Sequence, residues 1–417
     1  MNHFETKAGV LSAEDLSLEA LADAHGTPLY VYSAATLRRH ARLMQEALAA
    51  MPGLVCYAVK ACSNLGVLSL LAKEGVGFDI VSGGELERVL AAGGRADRVV
   101  FSGVGKQQHE IERALREGIK LFNVESAPEL ELIAQVATSL GKRAPIAVRV
   151  NPEVDAKTHP YIATGLKESK FGLPIDDAVA LYRRAAIMDG IEVAGVAFHI
   201  GSQITALEPF GQAIDRVLAL VATLRGERMN IRVIDVGGGL GVPYAGETPP
   251  SPSEYGKLVR EKLANAGAEV LLEPGRVLVA NAGVLVTRVL YVKKTAYKTF
   301  VVVDAAMNDL MRPALYQAHH HIEPVRSRGG SEIVDVVGPV CESSDFFAKA
   351  RALPVVEAGD LLCIRTAGAY GFSMASQYNT RPRAAEIIVS GDRAQLVRER
   401  ESVESLWRGE SRLDPSM

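Results

Sequence analysis

A lysine closes the apolar run Leu54-Val-Cys-Tyr-Ala-Val-Lys60 and leads straight into Ala61-Cys-Ser-Asn-Leu-Gly66. A lysine at a strand end can simply mark an exit into solvent. Kept partly desolvated, the same amine can be neutral, attack an aldehyde and hold a cofactor as a Schiff base. Gly237-Gly-Gly-Leu-Gly241 leaves backbone N–H groups room to face a phosphate, or serves as a plain tight turn. Glu273, followed by Pro274-Gly-Arg276, ends another apolar run, where an unpaired carboxylate is costly. It should face a cation, either an arginine such as Arg276 or a protonated pyridine nitrogen, which makes the ring an electron sink.

His199 ends a further apolar run, where a histidine is either a satisfied core residue or, with Gly201-Ser202 behind it, a flat ring packed on a flat ligand whose phosphate Ser202 reaches. Cys341-Glu342-Ser-Ser-Asp345 sets a thiol beside two carboxylates, and a buried spectator is its other reading. Arg312-Pro-Ala-Leu-Tyr316 and Gly368-Ala-Tyr370 add phenols and a guanidinium fork that can bond both oxygens of a carboxylate. His319-His-His321 has no carboxylate or cysteine at metal-ligand spacing beside it, so no metal site is expected.

Positioning these residues takes eight short β-rich runs, 54–60, 76–82, 98–103, 121–126, 145–150, 193–200, 231–240 and 269–276. Helical stretches such as 84–92, 106–117, 127–140 and 207–225 lie between them. Several of the runs are continuously apolar, as parallel strands covered on both faces should be. The pattern predicts a (β/α)8 barrel of the TIM type; the competing doubly wound sheet would show Gly-x-Gly-x-x-Gly after its first strand, which is missing. Barrel chemistry gathers at the carboxyl ends of strands, where Asp79, Ser82, Ser102, Asn123, Glu125, Arg149 and Asn151 also fall.

Beyond Asn281 the texture turns to alternation, as in Val284 to Val292 and Thr299 to Asp304, which predicts a mostly antiparallel β domain. The expected division is a barrel over 27–282 and a β domain over 283–417, with 1–26 packed on the latter. The loop Glu247 to Ser253, rich in proline, is expected at the surface, and no internal repeat is evident.

A chain of 417 residues with 48% hydrophobic and 23% charged side chains fits two globular domains. No apolar run approaches the roughly 20 residues of a membrane span, and the first ten residues show no signal or transit pattern. A cytoplasmic protein is therefore expected, with its 4 cysteines reduced. A net charge of -3 without a basic cluster argues against nucleic acid and for a small-molecule partner.

Taken in order, Tyr57-Ala-Val-Lys60, Asp79 to Glu85, His159 to Gly165, Ser169 to Gly172, His199 to Gln203, Gly237 to Gly241, Glu273 to Arg276, Arg312 to Tyr316, Cys341-Glu342 and Ala369-Tyr370 cover nearly the whole length. On these motifs the chain resembles the diaminopimelate decarboxylase family, pyridoxal 5'-phosphate enzymes that pair an alanine-racemase-like barrel with a β domain. The resemblance implies a decarboxylase converting meso-2,6-diaminopimelate to L-lysine and CO2, the last step of lysine biosynthesis. It implies that Lys60 is the Schiff-base lysine and that His199 stacks on the cofactor. Ser202, Gly238, Gly239, Glu273, Gly275, Arg276 and Tyr370 would bind the cofactor, and Arg276, Arg312, Tyr316, Glu342 and Tyr370 the amino-acid substrate. Cys341 would donate the proton. Members are homodimers with active sites at the interface, where Cys341 comes from the opposite subunit. One departure is Ala61-Cys62, where the family more often has Ala-Asn. Two alternatives share the barrel: a decarboxylase of ornithine, lysine or arginine, and a non-catalytic pyridoxal-phosphate-binding homologue.

Overall fold

The computed structural model describes residues 2–155 and 170–417, so the motif His159 to Gly165 and Ser169 lie outside the described residues. The chain divides into two compact units, Leu37–Val279 and the combination of Met1–Thr36 with Ala280–Met417.

Eight parallel strands of the first unit run in chain order: Gly53–Ala58, Gly77–Ile80, Val99–Phe101, Leu121–Val124, Ala144–Asn151, Ile191–Phe198, Val233–Asp235 and Glu269–Leu272. Each pairs with the next, and the last returns to the first with Leu271 opposite Leu54, so the sheet closes on itself. This is the expected (β/α)8 barrel. A short strand, Leu173–Pro174, adds to the outside of Ala144–Asn151. Leu54, Cys56, Val100, Leu121, Ala197 and Leu271 belong to one buried cluster that small and medium apolar side chains fill.

Most strands stop earlier than the apolar runs suggest, because the terminal residues leave the ladder to start the next helix. Lys60 is not a strand residue but lies in the single 3-10 turn Val59–Ala61, after a strand that ends at Ala58. Ser82 and Ser126, read as polar strand ends, are N-caps whose hydroxyls accept from Glu85 N at 3.2 Å and Glu129 N at 3.3 Å. Caps of this kind are worth about 1 kcal/mol each.

In the second unit, strand Leu29–Ser33 is antiparallel to Gly283–Lys294 on one side and parallel to Ala385–Ser390 on the other. Thr299–Val303, Glu332–Val337 and Phe346–Leu353 extend the sheet beyond Gly283–Lys294, mostly in antiparallel pairs. The segment 27–36, expected with the barrel, thus belongs to this unit, and its strand Leu29–Ser33 is buried along its whole length, as a barrel strand would also be. Phe4, Leu11, Leu18 and Leu21 share a core with Leu29, Val284 and Ile387, so the amino-terminal residues pack on the β sheet.

Candidate active site

The carboxyl ends of the barrel strands bring together Lys60, Asp79, Ser102, Asn123, His199 and Glu273. Lys60 Nζ lies 3.0 Å from Asp79 Oδ2, with 42% of the lysine side chain exposed and none of the aspartate. The expected desolvated amine is therefore not seen. An aspartate anchored on the second strand holds the ammonium at an accessible end, because the turn at Val59–Ala61 lifts it clear of the barrel wall.

Glu273 faces neither Arg276 nor any other arginine among the described residues. Its Oε1 receives Asn123 Nδ2 at 3.3 Å and Ser102 Oγ at 3.4 Å. Burial pushes this carboxyl far above the ordinary range, and the nearby Asp235 and Asp79 push the same way. Arg276 turns elsewhere: its Nη1 donates to Tyr244 Oη at 2.9 Å and its Nη2 to Ser202 Oγ at 3.0 Å. That pairs Ser202 with Arg276, two of the residues expected at a phosphate.

His199 is half-buried, and desolvation, with Arg149 and Lys60 nearby, pulls its imidazole well below the usual range, so the ring is neutral. Its Nδ1 accepts from Gly238 N at 3.2 Å, which places the ring hydrogen on Nε2. Around this ring the loops after the sixth, seventh and eighth strands press together. A Cβ on Gly238 would stand 2.1 Å from Glu273 O, and one on Gly239, at φ +117°, 2.4 Å from Gly201 O. Only glycine fits either place. Gly275 precedes the helical turn Arg276–Val279, so Arg276 begins a turn rather than ending a strand.

Deeper in the barrel Glu125 accepts from Arg149 Nη1 at 3.1 Å, Gly103 N at 2.8 Å and Gly172 N at 3.0 Å. These contacts make Glu125 and Arg149 a framework for the rim. Glu85, inside the Asp79 to Glu85 motif, is pushed up to about 7 by burial, with Asp79 adding to the effect and Lys60 opposing it.

Arg312, Tyr316, Cys341, Glu342 and Tyr370 belong to the second unit. Arg312 is buried, and its Nε donates to His320 Nε2 at 3.3 Å, while His320 Nδ1 donates to Arg365 O at 2.9 Å. The middle histidine of the triplet thus orients a guanidinium. Cys341 is exposed, against the buried reading, and its N–H donates to Asn379 Oδ1 at 3.1 Å. Asp345 is not available to the thiol, because its oxygens accept from Met307 N and Val340 N, each at 2.7 Å, and shape the loop. Tyr370 is half-buried at φ +55°, a strained setting for a side chain this large.

Three residues escaped the sequence reading: Asp79 as the partner of Lys60, Tyr244 as the partner of Arg276, and Asp235 near Glu273. Asp79 was marked only as a polar strand end, and Asp235 left a similar signal, a carboxylate inside the apolar Val233-Ile-Asp-Val236.

A flat neutral imidazole, a buried arginine with a hydroxyl, two glycines in close backbone contact and a half-buried acid without an arginine partner fit pyridoxal phosphate, which has an aromatic plane, an anionic end and a basic ring nitrogen. A family model described as the pyridoxal binding domain of pyridoxal-dependent decarboxylases matches residues 34–280. The chain belongs to this family of pyridoxal-dependent decarboxylases. It is 56% identical to the diaminopimelate decarboxylase of Vibrio cholerae serotype O1, over 97% of each chain. To that of Pseudomonas aeruginosa it is 56% identical, over 99% of this chain and 100% of the other. The crystal structure of Helicobacter pylori diaminopimelate decarboxylase complexed with L-lysine matches with a TM-score of 0.91 at 46% identity, over 94% of this chain and 98% of that one. Within the family, the chain stands with the diaminopimelate decarboxylases.

Proposed function

We propose that this chain decarboxylates meso-2,6-diaminopimelate to L-lysine and CO2, using pyridoxal 5'-phosphate held in its barrel. The near full-length similarity to diaminopimelate decarboxylases carries the reading, and the acid-lined barrel mouth around Lys60 supports it.

Pyridoxal phosphate, when bound, supplies an electron sink for the pair released as CO2 departs. The residues do the rest. Lys60 would hold the cofactor through its amine, and Asp79 would steady the ammonium whenever that amine is free. His199, neutral and half-buried, offers its face to an aromatic ring without adding a charge. Glu273 keeps a proton on the ring nitrogen. Ser202, Gly238, Gly239, Gly275 and Arg276 take the phosphate, with backbone and guanidinium donors that suit an anion.

In the second unit Arg312, its fork oriented by His320, grips the distal carboxylate with Tyr316, while Glu342 takes the distal ammonium. The departing carboxylate is left poorly paired, so binding energy favours the transition state. Cys341 Sγ, accessible to solvent, returns a proton to the carbon that lost CO2, and Tyr370 contacts both cofactor and substrate. An arginine at the distal end disfavours ornithine, lysine and arginine, whose distal groups are cations. The protein works in the cytoplasm as a homodimer, each site completed by Cys341 and Glu342 of the opposite copy.

Incubating the purified protein and pyridoxal phosphate separately with diaminopimelate, ornithine, lysine and arginine, while trapping CO2, tests the assignment. CO2 from diaminopimelate alone is expected; release from ornithine or arginine in its place overturns it.

A further inference from the structure

Below Glu273 the barrel carries a second carboxylate for which the proposed chemistry has no task. Asp235 ends the seventh strand opposite Leu271, two residues deeper than Glu273, and is 1% exposed. Its oxygens are well served: Oδ1 accepts from Gly237 N at 2.9 Å and Oδ2 from Asn123 Nδ2 at 2.8 Å. Glu273 Oε1 shares the same amide at 3.3 Å and has Ser102 Oγ at 3.4 Å, so its donors are more distant. One amide nitrogen, Asn123 Nδ2, thus bridges the two carboxyl groups.

Without a cation beside them, two carboxyls bridged in this way, one buried and one half-buried, do not both ionise, and the proton settles on the one with the poorer donors. That is Glu273. The other groups facing the pair are Cys56 and Lys60 from the first strand and its turn, Asp79 from the second strand, and Tyr255 from the helix Pro252–Leu263. Burial keeps Cys56 and Tyr255 neutral, Asp79 adds negative charge, and Lys60 is the cation, already paired with Asp79.

We propose that Asp235 is a positioning residue, a buried anion that keeps a proton on Glu273 until the cofactor docks and thereafter helps hold that proton on the ring nitrogen. This rests on the reading that pyridoxal phosphate binds with its ring nitrogen at Glu273. Glu273 transfers its proton to an unprotonated ring nitrogen: the O–H bond breaks, its electron pair stays on the carboxylate, and an N–H bond forms with the nitrogen lone pair. The total charge of the site is unchanged. Asp235, ionised throughout, adds a second negative charge to the field at the ring.

Wild type and Asp235→Asn, each reconstituted with 15N-labelled pyridoxal phosphate, are compared by the 15N shift of the ring nitrogen across a pH series. The asparagine keeps the size of the side chain and an acceptor for Gly237 N. Loss of the ring proton in the variant at a pH lower by roughly one to two units is expected, the effect of removing one nearby charge. Coincident titrations overturn the proposal. Should the variant not fold, wild type alone decides, by calorimetry of cofactor binding in buffers of different ionisation enthalpy, above the pH at which the free ring nitrogen is protonated. Near-zero proton uptake is expected, and uptake of one proton from the buffer overturns the proposal. Borohydride labelling of Lys60 separates the two levels: an unlabelled wild type sinks the cofactor reading itself, whereas a labelled protein with coincident titrations sinks only the role of Asp235.

Discussion

Lys60 Nζ and Asp79 Oδ2 stand 3.0 Å apart, linking the turn after the first barrel strand to the second strand. The aspartate is fixed and fully buried, and its Oδ1 has no hydrogen-bond partner among the described residues. The lysine is the movable partner, parked as an ammonium on a rigid anion and still open to an incoming aldehyde.

Lys60→Ala should therefore abolish the visible absorption that the reconstituted protein gains on binding pyridoxal phosphate, leaving the spectrum of the free aldehyde. Absorbance scans with and without borohydride check this. A variant with the wild-type spectrum removes Lys60 from its role.

Cys341→Ala should slow turnover by about 10² to 10⁴, the range for a lost general acid, with the bound cofactor spectrum unchanged. Cys341 is exposed, so the substitution removes no core packing. Full retention of kcat would mean that another group supplies the proton.

Arg312→Ala should weaken diaminopimelate by about 1.5 to 3 kcal/mol, as expected for a hydrogen bond to a charged group. KM and kcat measured on the variant decide it. His320→Ala, which removes the partner of Arg312 Nε, should move the same constants in the same direction by less. Unaltered constants in Arg312→Ala would place the distal carboxylate elsewhere.

Burial pushes Asp309 up to about 6 from an ordinary value of 3.8. Because the folded chain prefers the protonated acid, the contribution of this group is complete below about pH 4 and is lost as pH rises through about 6. Asp309→Asn should thus be more stable than wild type at pH 8 by about 1 to 3 kcal/mol, with little of that gain at pH 4. Urea melts at the two pH values measure the difference. An equal effect at both would rule out ionisation as its source.

The barrel was legible because its strands are apolar runs that end on polar residues, a pattern that parallel strands buried on both faces produce. Their ends were less legible: 231–240 shortens to Val233–Asp235 because the glycines leave the ladder to approach neighbouring loops. Lys60, His199 and Glu273 were marked by polar chemistry at apolar strand ends. The links between Lys60 and Asp79, Arg276 and Tyr244, and Asp235 and Glu273 were not, since each joins side chains from different strands or loops, and spacing along the chain does not encode them. Nor does alternation in Leu29–Ser33 reveal partners some 250 residues away, at Gly283 to Val286.

That last strand sets an order of events during synthesis. The barrel, Leu37–Val279, is one uninterrupted stretch and can close as soon as it leaves the ribosome. Leu29–Ser33 must wait, because one neighbour, Ala385–Ser390, is translated some 350 residues later. A strand made before the barrel thus settles after it, and a chain cut short before residue 385 would carry a finished barrel behind a strand with one flank uncovered.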